Sequence, residues 1–477
     1  MPNTWTGDAY ESADAAVQVI SSLMKEDLWP GLLDAMVVRS PFRNRIDQVA
    51  NQKDFTGKYG KGLLQTVFNR NTGPRKELQD FVFPLSDDFT DIQVPVFQTQ
   101  STIGWTMEEM RRVKPGDGSA IDLIGLKTKN MPIDIKRVQD FYDAGDGTGR
   151  MARVSAYNAS TRVVTIDNTG GDFGWHLGQW IYDGALIDIH TVADITGAAA
   201  WTTKAIRVRV DQKTQAPGAT ACTFRITEVD GDANSEIKAS PADSDYVFIY
   251  NAVTLTSANK FSAWNVPMGI LGIADDGSST GYEFTETAGC NGCWSGKTIW
   301  NKDRTLYNQL KCAMWRAGDW KTGGTDGTAE IASIDDIQEI IDETNENGPS
   351  GKVINALYMN SRTRNWFARK GAAQGVQIVN STSGKITPGI FTKSMVTGNG
   401  LELDILPMPL PDGQMLGVCE DELTRFNALK MGWVIQNGSR VFVPGRNGTY
   451  ESWMNGEDNL FGLSWTMVNI QDVNITA

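Results

Sequence analysis

The stretch FVFPLSDDFTDIQVPVF, residues 81–97, decides which fold this sequence predicts. Apolar residues alternate on both sides of a polar turn at Ser86-Asp87-Asp88, and a period of two is typical of β-strands. Prolines at positions 84 and 95 indicate strands away from the centre of a rigid sheet, because proline cannot donate a ladder hydrogen bond. The pattern predicts a long β-hairpin over residues 78–104.

The segment before this hairpin is strongly basic. Residues 39–76 hold nine Lys and Arg against two Asp, whereas residues 1–38 hold six acids and one Lys. Such a segment is expected to contact either phosphates or the acidic surface of a neighbouring copy of the chain. The candidate contact residues are Arg39, Arg43, Arg45, Lys53, Lys58, Lys61 and Arg70.

Helical periodicity flanks these two segments. Apolar residues three and four apart predict helices over 10–36 and 119–143, with one or two helical turns over 106–114. We expect a break in the second helix near Pro132 and an end at the glycine-rich AGDGTGR, residues 144–150.

Residues 150–260 change to short strands punctuated by turns about every ten residues, which is typical of a small barrel or sandwich. Because helical regions lie on both sides, we interpret this region as an inserted β domain. A helix is predicted from about Arg304 to Arg316. A better-defined one follows the N-cap Ser333, with the sequence SIDDIQEIIDETNENG, and stops at Asn347-Gly348-Pro349. The strand VINALYM (353–359) and a helix near 361–372 come next.

Composition excludes several classes of protein. The 477 residues carry a formal net charge of −13, which disfavours a general nucleic-acid binder. No apolar run approaches the roughly 20 residues of a membrane span, and the N-terminal residues lack a secretory pattern. Five cysteines are too few, and odd in number, for a disulfide framework. We therefore expect a soluble protein that is made inside the cell and has no membrane partner.

No catalytic set assembles from the motifs. Cys290 and Cys293 form a single CxxC, whereas a structural zinc site needs four ligands. The SGKT sequence at 295–298 lacks the first glycine of a phosphate-binding loop. Asp188 and His190 share one face of a strand, where we favour a solvated face over a hydrolytic site. We expect no enzymatic activity, no cofactor and no metal.

The order of parts resembles the major capsid protein of tailed bacteriophages, the Hong Kong 97-type shell fold. The resemblance is carried by the hairpin, by IDLIGLKTKNMPIDIKRVQDF (121–141), by GCWSGKTIWNKDRTLYNQLKCAMW (292–315), and by the capped helix with VINALYM and SRTRNWFARKG after it. It implies an α+β fold divided into an N-terminal helix and basic arm (1–76), an extended loop (77–105), a spine-helix region (106–149), the inserted β-barrel or sandwich (150–260), a peripheral domain (261–380), an axial domain (381–430) and a C-terminal return to the peripheral domain (431–477).

The resemblance also implies a function. A structural protein of this kind assembles with itself as hexamers and pentamers into the icosahedral head of a virion, in the host cytoplasm, around double-stranded DNA that it contacts non-specifically. A portal protein is an implied partner, and scaffolding and decoration proteins stay open. A long hairpin cannot bury its own apolar face, so self-assembly contacts are expected at Phe81, Phe83, Ile92, Val94 and Phe97. No lysine lies between Lys76 and Lys114, so we expect locking without a covalent crosslink.

Two alternatives remain open from the residues. Trp175, Trp180 and Trp201 fit a carbohydrate-binding protein or glycanase built on the β region. A nanocompartment shell that holds a cargo enzyme would use the same fold as a capsid.

Overall fold

The computed structural model is a mixed α+β fold, in which the described residues form mostly strands with few helices. It describes residues 41–57, 59–67, 88–106, 123–167, 178, 180–191, 201–214, 221–229, 232–243, 245–255, 257, 261–275, 298–304, 306–315, 333–348, 352–373, 394–396, 400, 402–408, 410, 412–434, 449–471 and 473. The helix predicted over 10–36 lies outside these residues. Of the one or two turns predicted over 106–114, only Thr106 is described, and it ends a strand.

The described α-helices are α1 (Pro41–Val49), α2 (Leu123–Ala144), α3 (Ile270–Ile273), α4 (Ile334–Asn347) and α5 (Ser361–Ala373). The strands are β1 (Asn51–Asp54), β2 (Tyr59–Val67), β3 (Asp88–Pro95), β4 (Phe97–Thr106), β5 (Arg150–Asn158), β6 (Val163–Asp167), β7 (Leu186–Thr191), β8 (Thr202–Thr214), β9 (Ala221–Glu228), β10 (Glu236–Ile237), β11 (Tyr246–Ile249), β12 (Val253–Leu255), β13 (Phe261–Trp264), β14 (Thr298–Ile299), β15 (Lys302–Asp303), β16 (Ala313–Trp315), β17 (Ala356–Met359), β18 (Ser394–Val396), β19 (Glu402–Pro407), β20 (Met415–Val418), β21 (Thr424–Trp433), β22 (Thr449–Phe461) and β23 (Met467–Ile470).

Residues 78–87 of the hairpin expected over 78–104 lie outside the described residues, and the described strands of that range pair with other parts of the chain. Strand β3 pairs with the earlier strand β2, in an antiparallel register that places Gly62 opposite Ile92. Strand β4 leaves this ribbon after Val96 and pairs with β22, from Phe97 opposite Asp458 to Thr106 opposite Thr449. Alternation identified β3 as a strand, but it does not specify which distant strand supplies the partner.

Helix α2 continues through Pro132, where the sequence predicts a break. The packing beneath the proline offsets the hydrogen bond that it removes, because Met131 and Ile135 are buried against Met454 of β22. The helix ends as predicted at the glycines, where the N–H of Gly145 donates to the carbonyl of Phe141 at 2.9 Å. Helix α2 therefore lies across the four-stranded sheet, whose strand order is β1-β21-β22-β4.

The β-rich region contains a closed barrel. Its strands follow the order β8-β7-β11-β5-β6-β9, and β9 pairs back onto β8. Alternate residues point inward and are buried, among them Val164, Ile187, Val208 and Phe224. Closure leaves these strands without a free edge, so the barrel builds its own core.

A six-stranded sheet of order β16-β23-β20-β17-β19-β18 forms the other large layer. Helices α4 and α5 pack on it through Ile337, Ile341, Trp366 and Phe367. The predicted cap is confirmed: Ser333 and Asp336 form a reciprocal capping box. Strand β17 pairs with β19 and β20, so this sheet crosses the expected boundary between residues 380 and 381.

The helix expected from Arg304 to Arg316 is wrong. This stretch contains a 3-10 turn, Asn308–Leu310, and the short strand β16. Arg304 is completely buried, and its guanidinium donates to the backbone carbonyls of Gly272, Ile273 and Asp275. Apolar spacing suggested a helix, but these long-range hydrogen bonds fix an irregular path instead.

Candidate assembly surface

The β2–β3 ribbon has one buried and one exposed face. Directly opposed residues of an antiparallel pair share a face, so Gly62 and Leu64 lie on the same side as Ile92 and Val94. On that side Leu64 is 5% exposed, Ile92 4% and Val94 0%. This side belongs to the core of the chain itself.

Close contacts fix the ribbon on the body. A Cβ atom at Gly60 would lie 2.6 Å from Cδ1 of Phe426 in β21, so the approach requires glycine. Lys302 donates to the hydroxyl of Thr90 at 2.7 Å, and the N–H of Gln93 donates to the carbonyl of Trp300 at 3.3 Å. Both strands of the ribbon thus contact the rest of the chain, β2 through Gly60 and β3 through Thr90 and Gln93.

The opposite face of the ribbon presents large apolar side chains. Leu63 is 76% exposed and Phe89 is 58% exposed, and in the register they are diagonal neighbours. Exposed Lys61 and Asp91 lie on the same face. We call Lys61, Leu63, Phe89 and Asp91 the ribbon patch. Exposed aromatic and aliphatic side chains held on a rigid ribbon are suited to packing against another protein surface.

These positions correct the expected hairpin contacts. Ile92 and Val94 pack inside the chain, because their strand parity points them at the body, and they offer nothing to a neighbour. Phe97 is half-buried in β4 beside β22. Phe81 and Phe83 lie outside the described residues. Sequence reasoning missed Leu63 and Phe89. The sequence did hold a signal for Phe89: it lies three residues before Ile92, so in a strand the two side chains point to opposite faces.

Arg43, expected to contact DNA or a neighbour, is instead buried in an ion network. Its guanidinium reaches Asp143 of α2 at 3.0 Å, Asp458 of β22 at 2.7 Å and Asp47 of α1 at 3.2 Å. Arg425 of β21 bonds the same three carboxylates, at 2.9 Å, 3.0 Å and 3.0 Å respectively. Two arginines and three aspartates thus join α1, α2, β21 and β22.

The electrostatics of this network favour its charged form. Burial alone would raise the pKa of Asp458, but the charges and hydrogen bonds of Arg43 and Arg425 outweigh burial and hold that pKa below its ordinary value. The pKa of Arg43 is raised for the complementary reason: burial lowers it, and Asp143, Asp458 and Asp47 more than reverse that effect. The network is a structural joint between α1, α2, β21 and β22, in which Arg43 and Asp458 favour their charged forms.

The other basic candidates fall into two groups. Arg45 makes hydrogen bonds to both oxygens of Glu420, at 3.0 Å and 2.6 Å, and so ties α1 to the six-stranded sheet. Lys53 and Lys61 are exposed, with the Lys53 ammonium 5.4 Å from the ring centroid of Phe426. Arg39, Lys58 and Arg70 lie outside the described residues. Only Lys53 and Lys61 of this set are therefore seen to be open to a partner.

A cleft of about 410 Å³ lies beside the ion network. Pro132 and Ile135 of α2 line it together with Leu429, Met431 and Met454 from the sheet, and Lys136 and Lys430 are also among its lining residues. Such a cleft can accept an apolar side chain and an acidic group at once.

Among the described residues, the tryptophan and histidine positions of the β region lack the exposure that a sugar-binding or hydrolytic site needs. Trp180 and Trp201 are buried, so neither can serve as a platform for a sugar ring, and Trp175 lies outside the described residues. Asp188 and His190 are buried as well, which corrects the expected solvated face. Asp188 accepts from the backbone N–H groups of Arg207 and Asn251, two residues with positive φ. Its role in the barrel is structural.

Metal and membrane chemistry find no support in the described part of the chain. Its His, Cys, Asp and Glu side chains form no group of three or more that could hold a metal ion. Cys290 and Cys293 lie outside it. None of its helices combines the length and the apolar character needed to cross a membrane.

Comparison with known proteins bears on the fold. No protein-family model and no curated protein matches the chain, whereas 128 chains of solved structures do. A chain from the Cyanophage A-1(L) capsid asymmetric unit matches with a TM-score of 0.51 and 10% identity, over 95% of this chain and 98% of that chain. The fold is that of a phage capsid chain.

Other solved structures match more distantly. A chain of the capsid of the native GTA particle has a TM-score of 0.43 and 8% identity, over 94% of this chain and 96% of that chain. The holo-SrpI encapsulin complex from Synechococcus elongatus PCC 7942 gives a TM-score of 0.39 and 8% identity, over 97% and 96% of the two chains.

Proposed function

We propose that this chain is the major capsid protein of a tailed bacteriophage, and that it assembles with itself into the icosahedral head around double-stranded DNA. The observation that carries the proposal is the capsid fold, which is shared along 95% of this chain and 98% of the matching capsid chain. On this proposal the protein has a structural role without enzymatic turnover, and it is located in the virion after assembly in the host cytoplasm.

The ribbon patch supplies the physical reason for assembly. In a closed lattice each copy presents one surface to a different surface of the next copy, and such heterologous contacts close into rings of five and six. Burying Leu63 and Phe89 against a neighbour removes apolar area from water, at roughly 25 cal/mol per Å². Many weak copies of one contact then stabilise the particle.

The parts of the Hong Kong 97-type anatomy are proposed to map onto the described elements. Strand β3 would lie in the extended loop expected over 77–105, α2 would be the spine helix, and α4, β17 and α5 the core of the peripheral domain. The barrel would be an addition to that minimal anatomy. The domain boundaries expected from the sequence are part of the same proposal.

Charge is consistent with a container for DNA. A net charge of −13 limits adhesion of the wall to DNA, while exposed Lys53 and Lys61 offer local contacts either to phosphate or to a neighbour. Portal, scaffolding and decoration proteins remain proposed partners.

The proposal is tested on particles purified from the cells that produce the protein. We expect this chain to be the most abundant polypeptide of the particles, and double-stranded DNA inside them to resist added nuclease. Particles that carry an enzyme cargo and no protected DNA would contradict the phage assignment and favour a nanocompartment. Absence of the chain from every particle would contradict both.

A further inference from the structure

Helix α4 exposes a face of one charge. Its sequence IDDIQEIIDETNEN contains six acids and no Lys or Arg. Glu339, Glu343 and Glu346 are exposed, while Ile337, Ile340 and Ile341 are buried against the sheet. Like charges four residues apart on a helix destabilise it, and Glu339 and Glu343 have that spacing. A cationic surface that covered the acidic face would relieve this repulsion.

The described part of the chain does not supply that cover. Within the residues that the structure describes, Glu339, Glu343 and Glu346 form no ion pair. The capping box of α4 uses Asp336, on the buried side, so the helix N-terminus does not neutralise the exposed glutamates either.

Helix α5 exposes the opposite charge. Its sequence SRTRNWFARKGAA contains four basic residues and no acid. Arg362 and Arg369 are exposed seven residues apart, and hence on one face, whereas Trp366 and Phe367 are buried. Arg362 bonds Asp412 with its guanidinium still largely open to solvent, and Arg369 forms no ion pair with a described residue.

The two faces match in length as well as in charge. Glu339 to Glu346 and Arg362 to Arg369 both span seven residues, or about 10.5 Å along a helix. Both helices bury their apolar sides in one shared core, so their charged sides point away from it. No ion pair joins Glu339 or Glu346 to Arg362 or Arg369 within the chain. A second copy can satisfy both faces at once, since each copy has one of each.

We propose that the acidic face of α4 docks against the basic face of α5 on a neighbouring copy of this chain. The inference rests on the proposed function, because it names one of the contacts that closes the lattice. The contact is heterologous: each copy uses its α4 face against one neighbour and its α5 face against another. All copies in a ring therefore have the same orientation relative to the next copy.

Charge reversal tests this contact in the full-length chain. One variant carries Glu339→Lys and Glu346→Lys, a second carries Arg362→Glu and Arg369→Glu, and a third carries all four changes. We expect the concentration needed for assembly to rise about tenfold or more in each of the first two, because attraction becomes repulsion at every contact. In the third variant the opposite charges face each other again, so assembly returns to within about threefold of wild type.

Controls separate the contact from trivial effects. Glu236→Lys with Asp243→Lys reverses two exposed acids near the barrel and is expected to leave assembly unchanged. Arg362→Gln removes the Arg362–Asp412 pair without reversing charge, and is expected to have a smaller effect than the double arginine variant. Circular dichroism and thermal unfolding verify that each variant folds.

The outcomes distinguish this inference from the function on which it rests. If wild type assembles and the two charge-reversed variants assemble equally well, the inference is overturned and the capsid proposal stands. The inference is also overturned if the variant with all four substitutions assembles no better than the two variants with two substitutions each. A wild-type chain that forms no assembly, either alone or co-expressed with its neighbouring genes, overturns the proposed function and the inference together.

Discussion

Arg43 and Asp458 lie 415 residues apart in the chain and are joined by a hydrogen bond of 2.7 Å from Nη2 to Oδ2. The bond connects the short helix α1 to the long strand β22, next to helix α2, which supplies Asp143. Neither residue can be exchanged alone without leaving buried charge uncompensated. This joint fixes the start of the described chain to its end.

Replacing Arg43 by Ala is expected to lower the free energy of unfolding by about 3–5 kcal/mol, because Asp143 and Asp458 would stay buried with one arginine between them. Denaturant unfolding of the unassembled chain measures the change. Lys430→Ala, which breaks the exposed pair with Asp54, is the matched control and should stay close to wild type. Equal effects of the two substitutions would refute the structural role of the network.

Acid is expected to destabilise the barrel through His190. Burial, with a smaller contribution from Lys238, lowers the pKa of His190 from its ordinary 6.5 to about 4. The folded state therefore disfavours protonation, so this stability is complete above pH 6.5 and is lost as the pH falls toward 4. Between pH 7 and pH 4.5 the loss is about 2–3 kcal/mol.

Denaturant unfolding at several pH values measures the His190 contribution. The variant His190→Phe keeps an aromatic ring beside Trp201 and Phe248 and should flatten the pH dependence over this range. An unchanged slope in that variant would assign the effect to other groups.

Two residues on opposite faces of β3 should separate assembly from stability. Phe89→Ser, together with Leu63→Ser, is expected to suppress assembly and to change the free energy of unfolding by no more than about 0.5 kcal/mol. Ile92→Ala, on the buried face, should cost about 2–5 kcal/mol of stability. Sedimentation and denaturant unfolding on the same samples measure both quantities. Normal assembly of the doubly substituted ribbon would remove the ribbon patch from the lattice contacts.

The cap of α4 gives a smaller and local prediction. Ser333→Ala removes the hydroxyl that accepts from the N–H of Asp336, and should lower stability by about 1 kcal/mol. Ser361→Ala, at the exposed first residue of α5, serves as the control and should be nearly neutral. If both changes cost the same, the capping box contributes no specific stability.

Local signals predicted the local elements. The capped helix α4 and its stop could be read from the sequence because caps and helical periodicity act within a few residues. The strands of the barrel region were visible for the same reason, through alternation and turn residues. Pro132 misled the prediction, since the compensation comes from Met131 and Ile135 packing against a strand more than 300 residues later.

Long-range pairing was not predictable in this way. Alternation placed Ile92 and Val94 on one face of a strand. Whether that face packs against a neighbouring copy or against the chain itself depends on how the β2–β3 ribbon lies on β21, which alternation does not show. The basic residue Arg43 likewise looked like a contact for DNA, because two of its three carboxylate partners, Asp143 and Asp458, come from distant elements. Charge in the sequence shows that a partner is needed and does not show where it lies.

The most direct test of the account is velocity sedimentation of the purified full-length chain, followed by negative-stain electron microscopy of the fast-sedimenting fraction. We predict that the wild-type chain forms closed shells or extended sheets of capsomers, and that these disappear when Leu63 and Phe89 are both replaced by Ser. A chain that remains a monomer or small oligomer at every concentration, both alone and co-expressed with its neighbouring genes, would contradict it.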